Sequence, residues 1–326
     1  MKKQVFGIDL SKDKIDFCLL ECTNLKVQAK GEVSNNKKDL GKWLDSVDLE
    51  SVSFSMEHTG HYGALLSWLL SERKATYYMI NPLELKRSLG LQRGKTDAID
   101  AYRIASYSVT HFHKLSPYSL PCLELRKLKT FMTTRERYVK TSVQIQNSIK
   151  ALKILDKATP VKELLQEESK QLKQVKATIR FIEKQMNQII KASDDLDKTY
   201  QKISKVVGVG PITAIKCITE TENFTKFENG RKFSCHCGLA PFKYQSGSSI
   251  NGRTKTHYLR DRTLKAILFK AAGSAIQHDP QLKKYYTRKV DQGKHKLTVL
   301  NAVANKLVLR IFAVANRDEP FVKLIA

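Results

Sequence analysis

Hydrophobic and polar positions change period along the chain, and the changes divide it. In residues 1–110 the apolar stretches are short and bounded by turn residues. Val5-Phe6-Gly7-Ile8-Asp9-Leu10 predicts a strand, Lys12-Asp13-Lys14 a turn, and Ile15-Asp16-Phe17-Cys18-Leu19-Leu20 a returning strand. A third strand is expected over 27–33, and the tight turns favour an antiparallel meander. A polar helix is expected near 38–44, and Val52-Ser53-Phe54-Ser55-Met56 alternates as a strand that ends at Glu57. A helix over 62–71, a strand over 75–80 and a break at Asn81-Pro82 before another helix complete an α/β pattern.

From 121 to 197 glycine is absent and the only internal proline is Pro160. Val161, Leu165, Leu172, Val175, Ile179, Ile182, Met186 and Ile189 step in threes and fours, with Glu168 in the one polar slot. This is an a/d seam over about four heptads. It predicts a long helical hairpin bent at 157–160, its seam serving either the hairpin or a second chain. Residues 200–320 read as mostly helical. In Ile203-Ser204-Lys205-Val206-Val207-Gly208-Val209-Gly210-Pro211-Ile212-Thr213-Ala214 a helix ends, glycines turn the chain, and a new helix starts. That is helix–hairpin–helix spacing, and the N–H groups at the new helix start suit a phosphate. Three segments are expected, 1–115, 116–198 and 199–326.

Charge sharpens this division. The chain carries a net charge of +25, distributed as +2 over residues 1–110, +8 over 111–200 and +15 over 201–326. A polyanion is the natural partner of the C-terminal two thirds, because each phosphate contact releases condensed counterions. The sequence lacks a run of 18 apolar residues, and Asp9 interrupts the apolar start, so neither a membrane span nor a signal peptide is expected. Six cysteines without framework spacing point to a reduced, cytoplasmic setting.

Four acids stand out by position. Asp9 lies inside an apolar strand, where an unpaired carboxylate is costly. Glu57 ends a later strand. Asp97 and Asp100, in Lys95-Thr96-Asp97-Ala98-Ile99-Asp100-Ala101, share one helical face. Converging, they would hold two divalent ions about 4 Å apart, the arrangement that stabilises the attacking and leaving oxygens of a phosphodiester. The strand order resembles a ribonuclease-H-like fold. An actin-like ATPase also starts with Gly-Ile-Asp, but the glycine-rich phosphate loop it needs has no candidate except Gly208-Val209-Gly210, in a lysine-rich helical context.

Further along, Gly238-Leu239-Ala240-Pro241-Phe242-Lys243-Tyr244-Gln245-Ser246-Gly247 and the following Arg253 and Lys255 read as a loop wrapped on phosphate. Lys205, Gly208, Gly210, Lys243, Gly247, Arg253 and Lys255 are the candidate nucleic-acid contacts. On spacing alone Ser246 is an ordinary loop serine. Cys235-His236-Cys237 has no second ligand pair for zinc and reads as core.

With these motifs in order, the chain resembles the DEDD-type insertion-sequence transposases, relatives of the pilin-gene invertases and understood as bridge-RNA-guided recombinases. Gly7-Ile8-Asp9, Glu57-His58-Thr59-Gly60 and Lys95 to Ala101 look like the nuclease motifs; Val207 to Pro211, Gly238 to Pro241 and Ser246-Gly247 look like those of the second domain. The resemblance implies a RuvC-like N-terminal domain, a coiled-coil linker and a mostly helical transposase domain. It implies Mg²⁺, with Mn²⁺ as a substitute, held by Asp9, Glu57, Asp97 and Asp100. It implies Ser246 as nucleophile, donor and target DNA and a non-coding guide RNA as partners, and a dimer or tetramer. Acids and serine then lie on separate domains, and the resemblance points to assembly between two chains. One departure is Arg260-Asp261, where many members have Gly-Asn. The rival functions are a hydrolytic nuclease of the Holliday-junction type, with Ser246 structural, and a non-enzymatic nucleic-acid-binding protein.

Overall fold

The computed structural model describes residues 2–58, 60–88, 97–246, 250–317 and 319. The chain divides into two compact units, Met1–Leu120 and Pro121–Ala326.

The first unit holds β1 (Gln4–Leu10), β2 (Lys14–Glu21), β3 (Val27–Ser34), α1 (Lys37–Asp45), β4 (Val52–Glu57), α2 (Ala64–Glu72), β5 (Tyr77–Ile80), α3 (Pro82–Ser88) and α4 (Asp97–Thr110). The sheet order is β3-β2-β1-β4-β5. The first three strands are antiparallel, as their short turns require, whereas β4 and β5 join β1 in parallel through helical crossovers. Alternation sorts the side chains between two faces. Phe6, Ile8, Leu10, Phe54 and Met56 pack with Leu40, Leu44, Leu66 and Leu70 of α1 and α2. On the opposite face Val5, Cys18 and Leu20 meet Ala101 and Ala105 of α4. Gly7 sets the depth of that contact, because a Cβ there would stand 2.1 Å from the Ala101 carbonyl oxygen and 2.3 Å from the Ala105 nitrogen. Any side chain at position 7 would lift α4 off the sheet.

The second unit opens with the hairpin of α5 (Leu123–Leu155) and α6 (Lys162–Lys191). At its base Ile182, Met186 and Ile190 are buried in one core with Leu128 and Met132. Toward the bend the seam is only half-buried. Glu168, the polar slot in the seam, accepts a 2.9 Å hydrogen bond from Ser148 on the facing helix, so the off-pattern residue serves as a cross-hairpin tie. Arg135 and Glu183 form a second tie at 2.7 Å. Then come α7 (Asp194–Ser204), α8 (Pro211–Thr221), α9 (Gly230–His236), the strand pair β6 (Pro241–Ser246) and β7 (Ile250–Thr256), α10 (Arg262–His278), α11 (Pro280–Asp291) and α12 (Lys296–Ala315). The hairpin base shares its core with these elements. Among the described residues α12 alone is long and apolar enough to cross a membrane. It serves instead as the spine of this core, burying Val303, Ala304, Leu307, Val308 and Ile311 completely.

Candidate functional site: two carboxylate clusters and a serine-tipped hairpin

Asp9 follows Val5 and Gly7 on the α4 face of β1, by simple alternation. The parallel register pairs Gly7 with Ser55 and Ile8 with Met56, so Glu57 ends the neighbouring strand beside Asp9 and on the same face. Asp97 and Asp100 lie in the first turn of α4, the helix that Gly7 admits onto β1. A helix N-terminus favours negative charge, which offsets part of their repulsion. The convergence is registered by Asp9 itself. Its carboxyl is raised from 3.8 to about 6, first by burial, then by the negative charges of Asp100, Asp97 and Glu57, against a backbone hydrogen bond at Leu10 that favours ionisation. Arg103 pairs with Asp100 at 2.8 Å. Hard oxygen donors gathered in this way, with the Asp9 charge disfavoured by the other three, suit a divalent cation. Thr59, Lys95 and Thr96, the remaining parts of the two motifs, lie outside the described residues.

A fifth acid was not singled out from the sequence. Asp16 pairs in register with Asp9 and so points to the same face. It has a cation at hand, with Lys14 at 3.3 Å. The strand pairing predicted for these residues already contained that signal.

In the second unit the segment expected as a loop is a two-stranded antiparallel hairpin, with Pro241 opposite Thr256 and Ser246 opposite Ile250. Ser246 therefore closes β6 at the tip. Gly247, Ser248 and Ser249 lie outside the described residues. Backbone pairing of the two legs explains the correction: the glycine and polar content that reads as loop belongs to a short, exposed ribbon. Lys243 and Arg253 lie in its strands, and Lys255 on β7 is exposed.

Both legs are tied down where they leave the core. Asn301 donates to the Leu239 carbonyl at 2.9 Å and Lys265 to the Gly238 carbonyl at 2.8 Å, while the Asp261 N–H donates to the His236 carbonyl at 3.1 Å. Gly238 has φ +67°, and a Cβ there would meet the Arg260 side chain at 2.3 Å. Asp261 caps α10, its carboxylate accepting from the Leu264 N–H at 2.9 Å. An asparagine would accept the same bond, so the Arg260-Asp261 departure preserves the cap.

Beneath the hairpin lies a second cluster. Lys216 on α8 is only 5 % exposed and reaches Glu136 and Glu220 at 2.8 Å each and Asp261 at 3.6 Å. His236 stands 3.5 Å from Glu220. Burial alone would raise Glu220, but hydrogen bonds from His236 and Lys216 and their charges bring it from 4.5 down to about 2. Burial works against the Lys216 ammonium too, and its hydrogen bonds to Glu136 and Glu220 outweigh it, so the lysine is held well above its ordinary range. Glu220, His236 and Asp261 are close enough to share a metal ion. Lys216 already supplies positive charge at that spot. Cys237 is buried as expected for core, whereas His236 is turned to Glu220.

Around the expected helix–hairpin–helix, Lys205 is the C-cap of α7 and Gly210 the N-cap of α8, with Pro211 in the first turn. Gly208 has φ +93°, and a Cβ would lie 2.6 Å from the Ala271 carbonyl oxygen. Its bareness is used by α10. The space around Gly210 is open.

Two descriptions of one transposase family match the chain in order. Residues 6–160 match the DEDD transposase domain of IS110, and residues 200–287 match the transposase of the IS116/IS110/IS902 family; together they span about three quarters of the chain. The chain is an IS110-family transposase. As such it is a DNA recombinase, and both clusters fall within matched segments. The transposase is 24 % identical to the pilin gene-inverting protein of Moraxella bovis over 342 residues, covering 100 % of this chain and 99 % of that protein. It is 29 % identical over 144 residues to the 43.6 kDa protein of insertion element IS110 from Streptomyces coelicolor, covering 44 % of this chain and 34 % of the relative. A structural likeness to Thermus thermophilus RuvC in complex with a Holliday junction substrate covers 35 % of this chain and 99 % of that one, at 13 % identity and a TM-score of 0.28.

Proposed function

We propose that this transposase cuts and rejoins DNA through a covalent phosphoserine at Ser246, with Asp9, Glu57, Asp97 and Asp100 holding Mg²⁺. The observation that supports the metal assignment is the gathering of Asp9, Glu57, Asp97 and Asp100 at one end of β1, where burial and the neighbouring negative charges raise the Asp9 carboxyl and a bound cation would favour its ionised form. A divalent ion bound there would offset the charge that develops on the phosphoryl oxygens. Ser246 ends β6 at the turn of the hairpin, and in this reading its hydroxyl meets the DNA backbone there. A serine hydroxyl needs a base, and a carboxylate accepts its proton as the Oγ–P bond forms. The P–O bond to the departing deoxyribose breaks, and the leaving oxygen takes up a proton. Attack of a new sugar hydroxyl on the phosphoserine reverses these steps and restores Ser246. The Gly208–Pro211 turn and Lys243, Arg253 and Lys255 contact phosphate in this reading. Donor and target DNA are paired by a non-coding guide RNA, in a dimer or tetramer. The exposed apolar residues of the hairpin, Val143, Ile154, Leu155, Leu164 and Phe181, support self-association. Phe181→Asp should then lower the mass in solution while the helices stay folded; an unchanged mass would place the oligomer contact elsewhere.

The deciding experiment stalls the reaction on a nicked DNA substrate and maps the DNA-linked peptide by mass spectrometry. A link at Ser246 that is lost in Ser246→Ala supports the proposal. A link at Tyr244 or Ser248 overturns the nucleophile and keeps the recombinase. Metal-dependent cleavage with no adduct under any condition makes the protein a hydrolytic nuclease.

A further inference from the structure

We infer that the groove between α11 and α12 is a binding site for a nucleic-acid sugar–phosphate backbone, separate from the serine hairpin. The groove, of about 500 Å³, is lined by Lys284, Arg288, Lys306 and Arg310, with Tyr285 between the helices and no acidic side chain in its lining. Lys306 stands 4.7 Å and Arg288 5.8 Å from the centre of the Tyr285 ring, so one aromatic ring gathers two like charges.

Arg310 forms the fixed end of this row. It is paired at 2.7 Å with Asp279, which is 5 % exposed and also caps α11 through the Leu282 N–H at 2.9 Å. Gln281 holds its other nitrogen. Lys284, Arg288 and Lys306 are exposed and, among the described residues, form no ion pair with a carboxylate. Elsewhere the surface lysines Lys226 and Lys232 each have a glutamate four residues away, Glu222 and Glu228. Residues 280–296 contain six basic side chains and one acid, Asp291.

The spacing favours a chain of phosphates over a single anion. Lys284 and Arg288 are one helical turn apart, as are Lys306 and Arg310, a rise of ~6 Å for each pair. Two such rows form a rail along which a strand's repeating charge is matched and its counterions released. The family match ends at residue 287, so α12 and half the groove lie beyond it.

The test is the salt dependence of binding by the full chain to two probes of arbitrary sequence, duplex DNA and single-stranded RNA. Arg288→Gln/Lys306→Gln should reduce the slope of log K against log salt by about 1.8 on the duplex, or 1.4 on the single strand, for two lost contacts. Affinity at 0.15 M salt should fall on the order of 30-fold. The control Lys226→Gln/Lys232→Gln should keep the wild-type slope. A reduced slope on one probe alone assigns the groove to that nucleic acid. A wild-type slope on both probes, in a variant whose helical signal and melting match the parent, overturns the site. The covalent-adduct assay reads Ser246 independently, so neither result can mask the other.

Discussion

The two carboxylate clusters are built from the same groups and behave oppositely. In the N-terminal unit, Asp9 faces Glu57, Asp97 and Asp100, and its carboxyl rises to about 6. In the C-terminal unit, Glu136, Glu220 and Asp261 surround Lys216, and Glu220 falls to about 2. The difference is the place of the attached cation: Lys216 is buried among three acids of the second cluster, whereas Arg103 pairs with Asp100 in the first. Where the chain supplies its own ammonium, the acids are satisfied at folding and the cluster serves as a clamp under the hairpin. In the first cluster Arg103 pairs with Asp100 at 2.8 Å, yet Asp9 stays raised by burial and by the negative charges around it. A count of acidic residues would not distinguish them; the sign of the shift does.

Asp9→Asn should affect the first cluster most. Loss of one ligand from a site contributing several kcal/mol to the transition state predicts a cleavage rate lower by at least on the order of 10³, with DNA binding retained. Normal cleavage by this variant would end the metal assignment. In the second cluster Lys216→Met strands buried carboxylates and should cost about 3–5 kcal/mol in denaturant titrations. Glu136→Gln/Lys216→Met/Glu220→Gln should recover most of that loss, because the one acid of the cluster left charged, Asp261, keeps its cap hydrogen bond from the Leu264 N–H. If the single and triple variants are equally unstable, the clamp is not electrostatic.

Acid should separate the units next. The Asp9 carboxyl is raised on folding, so its contribution is fully present below its unfolded value of 3.8 and is lost as pH rises through about 6. Without metal, the first unit is thus weakened at neutral pH. Glu220 is depressed, so its contribution is present above 4.5 and lost as pH falls toward 2. Each contribution is at most about 3 kcal/mol, reduced to about 2 kcal/mol by solvent screening of these partly exposed groups. The two tryptophans, Trp43 and Trp68, both lie in the first unit, so their fluorescence follows that unit alone. Metal-free melts followed by fluorescence should show Asp9→Asn more stable than wild type at pH 7 and equal to it near pH 3. The smallest effect is on the response to Mg²⁺, which should raise the melting temperature of the wild type by a few degrees and leave Asp9→Asn unmoved. An equal response in both proteins would locate the ion elsewhere.

Much of this was legible in the chain because it depends on local periodicity. The alternation around Asp9 and the turn at 12–14 specify a hairpin whose register follows from the pleat. The three-and-four stepping after Val161 specifies a long helix. Asp97 and Asp100 share a face by their spacing alone. The hairpin carrying Ser246 was hidden by its composition, since its glycines, serines and basic residues read as a loop. Gly208 reads as a phosphate turn, yet its missing side chain is filled by Ala271 and Ala275 of α10, which lie more than sixty residues later.

What the sequence determined by itself is therefore most of the elements, the family motifs and four candidate acids, all carried by spacings of a few residues. Tertiary structure alone decided which charges meet. Lys216 looks like any helical lysine until α5, α9 and the start of α10 bring Glu136, His236 and Asp261 around it. Asp9 looks like an isolated strand acid until Gly7 lets α4 descend and deliver Asp97 and Asp100. Electrostatic energy depends on separations of a few ångströms and on burial, and neither is set until distant segments have packed.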